Sequence, residues 1–327
     1  MQAILLSGGF GTRMRPLTYT TPKPLLPLLN KPLVQHIIDS LPRSVDEVVL
    51  AANYKIDMLR DFFEDLNLDR KVYIVDEPEP RGTAGAVKNV EDYIDDTFFV
   101  VNSDIISSLN FQDYLDFYEG KEGVGAISVW KVDDPTEFGV MDIDKDSRIK
   151  RFQEKPSPEK AFSDKVNAGH YILELDVLDR IPEGQKVSME REIFPDLVDE
   201  GLFGYEFEGY WIDCGRPSSL FKANRTLLDE RGKKKLIGEK TVIEGEIEEY
   251  VTVGEDCTIG KSKIANSILY DGVEIGDGCV IENSILGYDV IVEDNVTIKD
   301  SIISDNHYLE KDRKVIKEKL KPEEEEI

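Results

Sequence analysis

The residues best suited to chemistry stand near the start of the chain. Ser7-Gly8-Gly9-Phe10-Gly11-Thr12-Arg13 follows a short apolar run, Ala3 to Leu6, that reads as a buried first strand. Glycines at 8, 9 and 11 let backbone amides come close to a bound group, since no Cβ stands in the way. Arg13, Arg15 and Lys23 come next, on a segment stiffened by Pro16, Pro22, Pro24 and Pro27. The prolines argue against a continuing helix, so the segment is predicted to be a loop lying over a pocket. Amides and fixed cations at a strand end describe a polyphosphate site. Two acids add to it. Asp104 and Asp213 each stand at the end of an apolar run, where a ligand for a hard cation such as Mg²⁺ would be presented. In a chain with 66 acidic residues, each taken by itself is more readily read as a surface group. Lys155, before Pro156, reads either as a cation for a second anionic substrate or as a surface lysine before a turn.

Charge distribution supports the anion reading. The formal net charge is −26, yet the first acidic residue is Asp39, and residues 1–38 carry Arg13, Arg15, Lys23 and Lys31. A locally cationic segment in an acidic protein is accounted for by an anionic ligand. The overall acidity argues against nucleic acid or an anionic membrane as partner. No apolar run has membrane-spanning length, and the opening apolar segment is too short for a signal peptide, so a cytoplasmic protein is expected. Cys214, Cys257 and Cys279 form no CxxC pair and are odd in number, which suggests neither zinc nor a disulfide scaffold. His36, His170 and His307 are too scattered to suggest a metal site.

The elements that must position these groups fall into two parts. From residue 1 to about 228, apolar runs alternate with amphipathic stretches. Val45–Ala52, Lys71–Val75 and Thr97–Val101 read as strands; Ile56–Leu66 and Ala84–Ile94 read as helices. This alternation predicts an α/β domain with a mixed, mostly parallel sheet, and both the glycine stretch and Asp104 lie at strand ends, where such folds bind ligands. Residues 229–240 read as a linker. From 241 to 305, aliphatic residues recur every five or six positions, and Ile264, Ile281 and Ile298 begin related segments 17 residues apart. That period predicts a parallel β-helix of hexapeptide type with roughly four coils, expected to assemble a homo-oligomer. Residues 306–327 are charged and end in an acidic run, which predicts a frayed helix or a disordered tail.

Two familiar phosphate motifs do not fit. A Walker A loop requires Lys and Ser/Thr after its second glycine, where this chain has Thr12-Arg13. A dinucleotide fingerprint requires Gly or Ala where this chain has Met14. The stretch from Gly8 to Pro24 instead resembles the signature G-G-x-G-T-R-x-x-P-L-T…P-K-P of the sugar-1-phosphate nucleotidyltransferases. The resemblance implies a Rossmann-like nucleotidyltransferase domain followed by a left-handed parallel β-helix. It implies nucleotide binding by Leu6, Ser7, Gly8, Gly9, Gly11, Thr12, Arg13 and Lys23, with Arg13 on the leaving pyrophosphate. Gly82 and Thr83 would hold the nucleobase. Gly139, Glu154, Lys155, Asn167 and Gly169 would bind the sugar phosphate, and Asp104 and Asp213 would bind Mg²⁺. The substrates implied are a nucleoside triphosphate and a hexose 1-phosphate.

Phe98-Phe99-Val100-Val101-Asn102-Ser103-Asp104, Glu190-Arg191-Glu192-Ile193-Phe194-Pro195 and Gly82-Thr83-Ala84-Gly85 are similar to segments of mannose-1-phosphate guanylyltransferases. Glucose 1-phosphate with dTTP or UTP is the alternative. A non-catalytic regulatory subunit of the same architecture is disfavoured because Arg13, Lys23, Asp104, Lys155 and Asp213 are all present. An acyltransferase on the β-helix is disfavoured because the only nearby histidine is His307.

Overall fold

The computed structural model describes residues 1–77 and 79–322. The chain divides into two compact units, Met1–Gly9 with Ile37–Trp211 and Phe10–His36 with Ile212–Ile327.

The first unit is built on one mixed sheet. Its strands are β1 (Gln2–Leu6), β2 (Glu47–Ala52), β3 (Lys71–Asp76), β4 (Phe98–Asn102), β5 (Gly125–Lys131), β6 (Gly139–Ile143), β7 (Ile149–Glu154), β8 (Lys165–Leu173) and β9 (Leu202–Glu206). The order β7-β6-β8-β4-β1-β2-β3 places the glycine stretch at the end of a central strand, with β5 and β9 joined through β8. β1 pairs in parallel with β2 and β4, and β2 with β3. Val48–Ala52 and Phe98–Val101 are buried throughout, as the near-continuous apolar runs of a covered parallel sheet require. β8 runs antiparallel to β4, β5 and β6. Its register against β5 shifts between Asn167 and Tyr171, so the strand bulges at Ala168-Gly169-His170.

Helix α1 (Ile56–Asp65) agrees with its amphipathic pattern, whereas α2 spans only Gly82–Lys88 and is followed by a 3₁₀ turn at Glu91–Tyr93. Asn89 ends it: its side chain accepts from Arg81 Nη1 and donates to the Asp76 carbonyl. Helix α3 (Phe111–Tyr118) is capped by Asn110, whose side chain accepts from the Gln112 and Asp113 amides.

In the second unit the proline-rich segment forms three 3₁₀ turns, Thr12–Met14, Leu17–Tyr19 and Lys23–Leu25. It is more regular than an open loop because Met14, Leu17 and Leu25 are buried. Helix α4 (Pro217–Glu230) precedes three parallel sheets of short strands, which form the β-helix. One sheet joins Lys235–Ile237, Val251–Val253, Ile268–Leu269, Ile285–Leu286, Ile302–Ile303 and Lys319–Leu320. Ile264, Ile281 and Ile298 are fully buried in its core.

Two boundaries differ from expectation. Lys235–Ile237 is already a solenoid strand, where a linker was expected. Tyr308–Leu309, Lys314–Ile316 and Lys319–Leu320 continue the sheets where a tail was expected. Leu309 and Val315 supply the buried aliphatics of that last coil, and its charged residues point outward. The acidic run at 323–327 lies outside the described residues.

Candidate active site

In the first unit, Leu6 ends β1 and Ser7, Gly8 and Gly9 turn away from it. The Ser7 amide donates to the Ala51 carbonyl (2.9 Å), and the Gly9 amide donates to Asn53 Oδ1 (3.0 Å). Gly8 faces Glu77: a Cβ on Gly8 would stand 2.9 Å from Glu77 Oε2. Glu77 is only 2% exposed, and its other oxygen accepts the Arg81 amide (2.8 Å). Burial pushes its carboxyl above the usual range, against that hydrogen bond and the Arg81 charge.

Gly82 and Thr83 open α2. The Ala84 and Gly85 amides donate to the Val187 carbonyl, and Thr83 Oγ1 accepts the Met189 amide and donates to Glu190 Oε2 (2.7 Å). Glu190 also accepts from Ser188 Oγ (2.8 Å) and from the Tyr171 hydroxyl (3.4 Å). Tyr171 in turn accepts from Asn167 Nδ2 (2.9 Å), whose Oδ1 takes the Gly169 amide (2.8 Å). A continuous network therefore joins Thr83, at the start of α2, to Asn167 and Gly169, on β8. Gly169 makes the bulge possible: it has φ 80°, and a Cβ there would meet Asn102 Nδ2 at 2.6 Å.

Glu154 closes the same region. A Cβ on Gly139 would lie 3.0 Å from its Oε2, and burial followed by the charge of Glu190 raises its carboxyl, against Lys155 and Arg191. Lys155 is exposed and held at φ 44° by its amide bond to the Phe138 carbonyl (2.9 Å). A lysine in the left-handed region is uncommon, and such backbone strain clusters at binding sites. Asp104 is half-buried just beyond β4, and its charge is felt by His170. His170 is enclosed with Nδ1 at 3.0 Å from Ser128 Oγ, and burial pushes its imidazole down to about 3, the Asp104 charge opposing. It is therefore neutral at working pH and serves as a packing residue.

In the second unit, Gly11 begins the first 3₁₀ turn and its carbonyl accepts from Thr18 Oγ1 (2.8 Å). Thr12 and Arg13 are exposed, and Lys23 is half-buried beside Gly11. Asp213 is half-buried and accepts the Gly215 amide (2.7 Å). The Arg13 guanidinium lies against the same glycine. Among the described residues no group of three or more His, Cys, Asp or Glu could hold a metal. Magnesium bound through one or two carboxylates, phosphates and waters needs no such cluster, and the half-buried carboxylates of Asp104 and of Asp213 are each the hard-oxygen type of ligand it takes. Cys214, Cys257 and Cys279 are buried, and none of them forms a disulfide.

Glu77, Tyr171 and Glu190 neighbour the candidate site residues Gly8, Thr83 and Asn167, and motif reading did not single them out. The available signal was their position, Glu77 just before Gly82-Thr83 and Glu190 within Glu190-Arg191-Glu192.

A glycine turn at the end of a central strand, followed along the chain by exposed cations, suits a phosphate-handling transferase better than a dehydrogenase or a P-loop NTPase. Comparison with known proteins agrees. Residues 2–230 match the family described as Nucleotidyl transferase, and residues 233–325 match the GMPPB C-terminal domain. Mannose-1-phosphate guanylyltransferase 1 of Arabidopsis thaliana is 37% identical over 87% of this chain and 79% of its own length. Mannose-1-phosphate guanylyltransferase of Mycobacterium tuberculosis is 33% identical over 86% of this chain and 83% of its own. The crystal structure of HddC from Yersinia pseudotuberculosis, complexed with GMP-PN, is 29% identical with a TM-score of 0.56, over 68% of this chain and 97% of that one. The chain belongs to the Nucleotidyl transferase family and is an enzyme of that class. No helix among the described residues is long and apolar enough to cross a membrane.

Proposed function

We propose that the protein transfers a guanylyl group from GTP to mannose 1-phosphate, giving GDP-mannose and pyrophosphate. A phosphate oxygen of the sugar phosphate attacks the α-phosphorus, and the bond from that phosphorus to the β-phosphate oxygen breaks. The nucleophile is already ionised, so no base is needed, and a neutral His170 is consistent with that. The obstacles are repulsion between two anions and the charge growing on the leaving pyrophosphate.

The chain's cations meet both. Arg13 and Lys23, with Leu6, Ser7, Gly8, Gly9, Gly11 and Thr12, would hold the triphosphate, Arg13 bearing on the leaving group. Lys155 would hold the sugar phosphate, and Glu154, Asn167, Gly169 and the Gly139 amide the sugar. Gly82 and Thr83 would hold the base. Asp104 and Asp213 are the residues that would hold Mg²⁺, which when bound neutralises phosphate charge.

The choice of guanine and mannose is carried by one observation: identity of 37–39% to plant guanylyltransferases over 87% of the chain, catalytic motifs and C-terminal coils together. The solenoid has no assigned chemistry. His307 is buried with Nε2 against the Lys321 carbonyl, unlike an acyltransferase base. Val242, Ile291, Tyr308 and Ile316 expose apolar surface that supports assembly into a homo-oligomer, which light scattering would measure.

Pyrophosphate release over a grid of five nucleoside triphosphates and several hexose 1-phosphates tests the assignment. The highest kcat/KM is expected for GTP with mannose 1-phosphate. A preference for dTTP or UTP with glucose 1-phosphate would replace it with the alternative reading.

A further inference from the structure

Glu190 lies on a single π-helical turn, Met189–Ile193, in which the Ile193 amide donates to the Ser188 carbonyl (3.4 Å). Such turns are rare and recur at functional sites. Ser188 caps this one, its hydroxyl oxygen accepting the Arg191 amide (3.2 Å). The residues leading into the turn are fastened to the start of α2. The Val187 amide donates to the Arg81 carbonyl (2.8 Å), and the Val187 carbonyl accepts from the amides of Ala84 (3.1 Å) and Gly85 (3.3 Å). Gly82 has φ 75°, and a Cβ there would stand 2.5 Å from the Val187 carbonyl oxygen.

The two carboxylate oxygens of Glu190 serve different elements. Oε2 accepts from Thr83 Oγ1 (2.7 Å) and Ser188 Oγ (2.8 Å), and Oε1 accepts from the Tyr171 hydroxyl (3.4 Å). Tyr171 is fully buried on β8, edge-on to the Phe194 ring with centroids 4.8 Å apart. Its hydroxyl also accepts from Asn167 Nδ2 (2.9 Å), and Asn167 Oδ1 holds the Gly169 amide at the bulge (2.8 Å). An ionised carboxylate only accepts, so each oxygen must be met by a donor. For Glu190 the donors come from the start of α2 on one side and from β8 on the other. A shift of either element alone breaks one of these bonds, which costs free energy at a half-buried carboxylate.

We propose that Glu190 is a positioning residue that couples the two substrate subsites: a nucleobase ordering Gly82–Thr83 fixes Tyr171, Asn167 and the Gly169 bulge for the sugar, and the sugar fixes Thr83 for the base. Each substrate then strengthens the binding of the other by the same factor. This rests on the substrate assignment given above.

The test measures equilibrium binding to the full-length protein with Mg²⁺. The ligands are mannose 1-phosphate and the α,β-methylene analogue of GTP, whose α–β bridge does not break. The Kd of mannose 1-phosphate should fall by about fivefold or more when the analogue is saturating, and the Kd of the analogue should fall equally in the reverse experiment. Tyr171→Phe keeps the ring against Phe194 and removes only the hydroxyl, and Glu190→Ala breaks the link from the other side. Each should bring the factor to within about twofold of one, and the double variant should lose no more than either alone, since all three break one connection. A residue that only supported the fold would change both affinities and leave the factor as it is. A factor of one in wild type, or the same factor in wild type and both single variants, would overturn the proposal. Wild-type protein that binds neither ligand would instead overturn the substrate assignment, and the coupling with it.

Discussion

Arg13 occupies the space that a side chain at position 215 would need. A Cβ on Gly215 would stand 2.7 Å from Arg13 Nη2 and 2.7 Å from Asp213 Oδ1, and the Gly215 amide donates to that carboxylate. One glycine thus lets a cation and an anion, both assigned above to the proposed phosphate site, approach the same backbone. Gly215→Ala must displace one of them. The expected result is a folded protein with an unchanged far-ultraviolet spectrum and a kcat lower by about 10²-fold, the cost of misplacing one electrostatic group. A kcat within twofold of wild type would show that neither group needs its observed position.

The two aspartates give a second prediction. Asp104→Asn and Asp213→Asn keep side-chain size and remove charge. Each should reduce turnover at limiting Mg²⁺ by roughly 10²-fold or more, leaving the melting temperature little changed. Near-wild-type rates at limiting Mg²⁺ in both variants would remove them from the metal assignment.

The cations should separate by kinetic parameter. Leaving-group charge grows only toward the transition state, so Arg13→Ala should depress kcat. Lys155 would hold a ground-state substrate, so Lys155→Ala should mainly raise KM for the sugar phosphate. A change confined to the nucleotide KM in Lys155→Ala would contradict the division of roles.

What the sequence makes legible depends on how local the signal is. Gly8 to Pro24 is one contiguous stretch, and the 17-residue spacing of Ile264, Ile281 and Ile298 repeats in order, so both can be read along the chain. Glu77 and Glu190 could not be singled out, because an acid among 66 others gains meaning only from its spatial neighbours, Gly8 for one and Thr83 with Tyr171 for the other. The last solenoid coil is obscured differently. Its outward positions are Lys, Glu, Asp and Arg, and composition hides the buried Leu309 and Val315.

The last prediction concerns acid stability. His170 is fully enclosed against Ser128 and packs edge-on to Phe111, with ring centroids 5.4 Å apart. Its imidazole is pushed from an ordinary 6.5 down to about 3 by burial. Because the folded value is depressed, the unfolded chain takes up a proton that the folded chain refuses. The neutral buried histidine therefore contributes stability that is fully present above 6.5 and is lost as pH falls from there toward 3. One such group lowers stability by about 2 kcal/mol between pH 7.5 and pH 5, at a slope approaching ~1.4 kcal/mol per pH unit. Buried carboxyls with raised values, Glu77 and Glu154, act in the opposite sense, so total stability does not isolate the effect. The difference between wild type and His170→Gln does. The variant should be less stable at pH 7.5, having lost the packed ring, but its urea midpoint should fall less on going to pH 5. Parallel pH dependence in the two proteins would show that His170 is not held neutral by its surroundings.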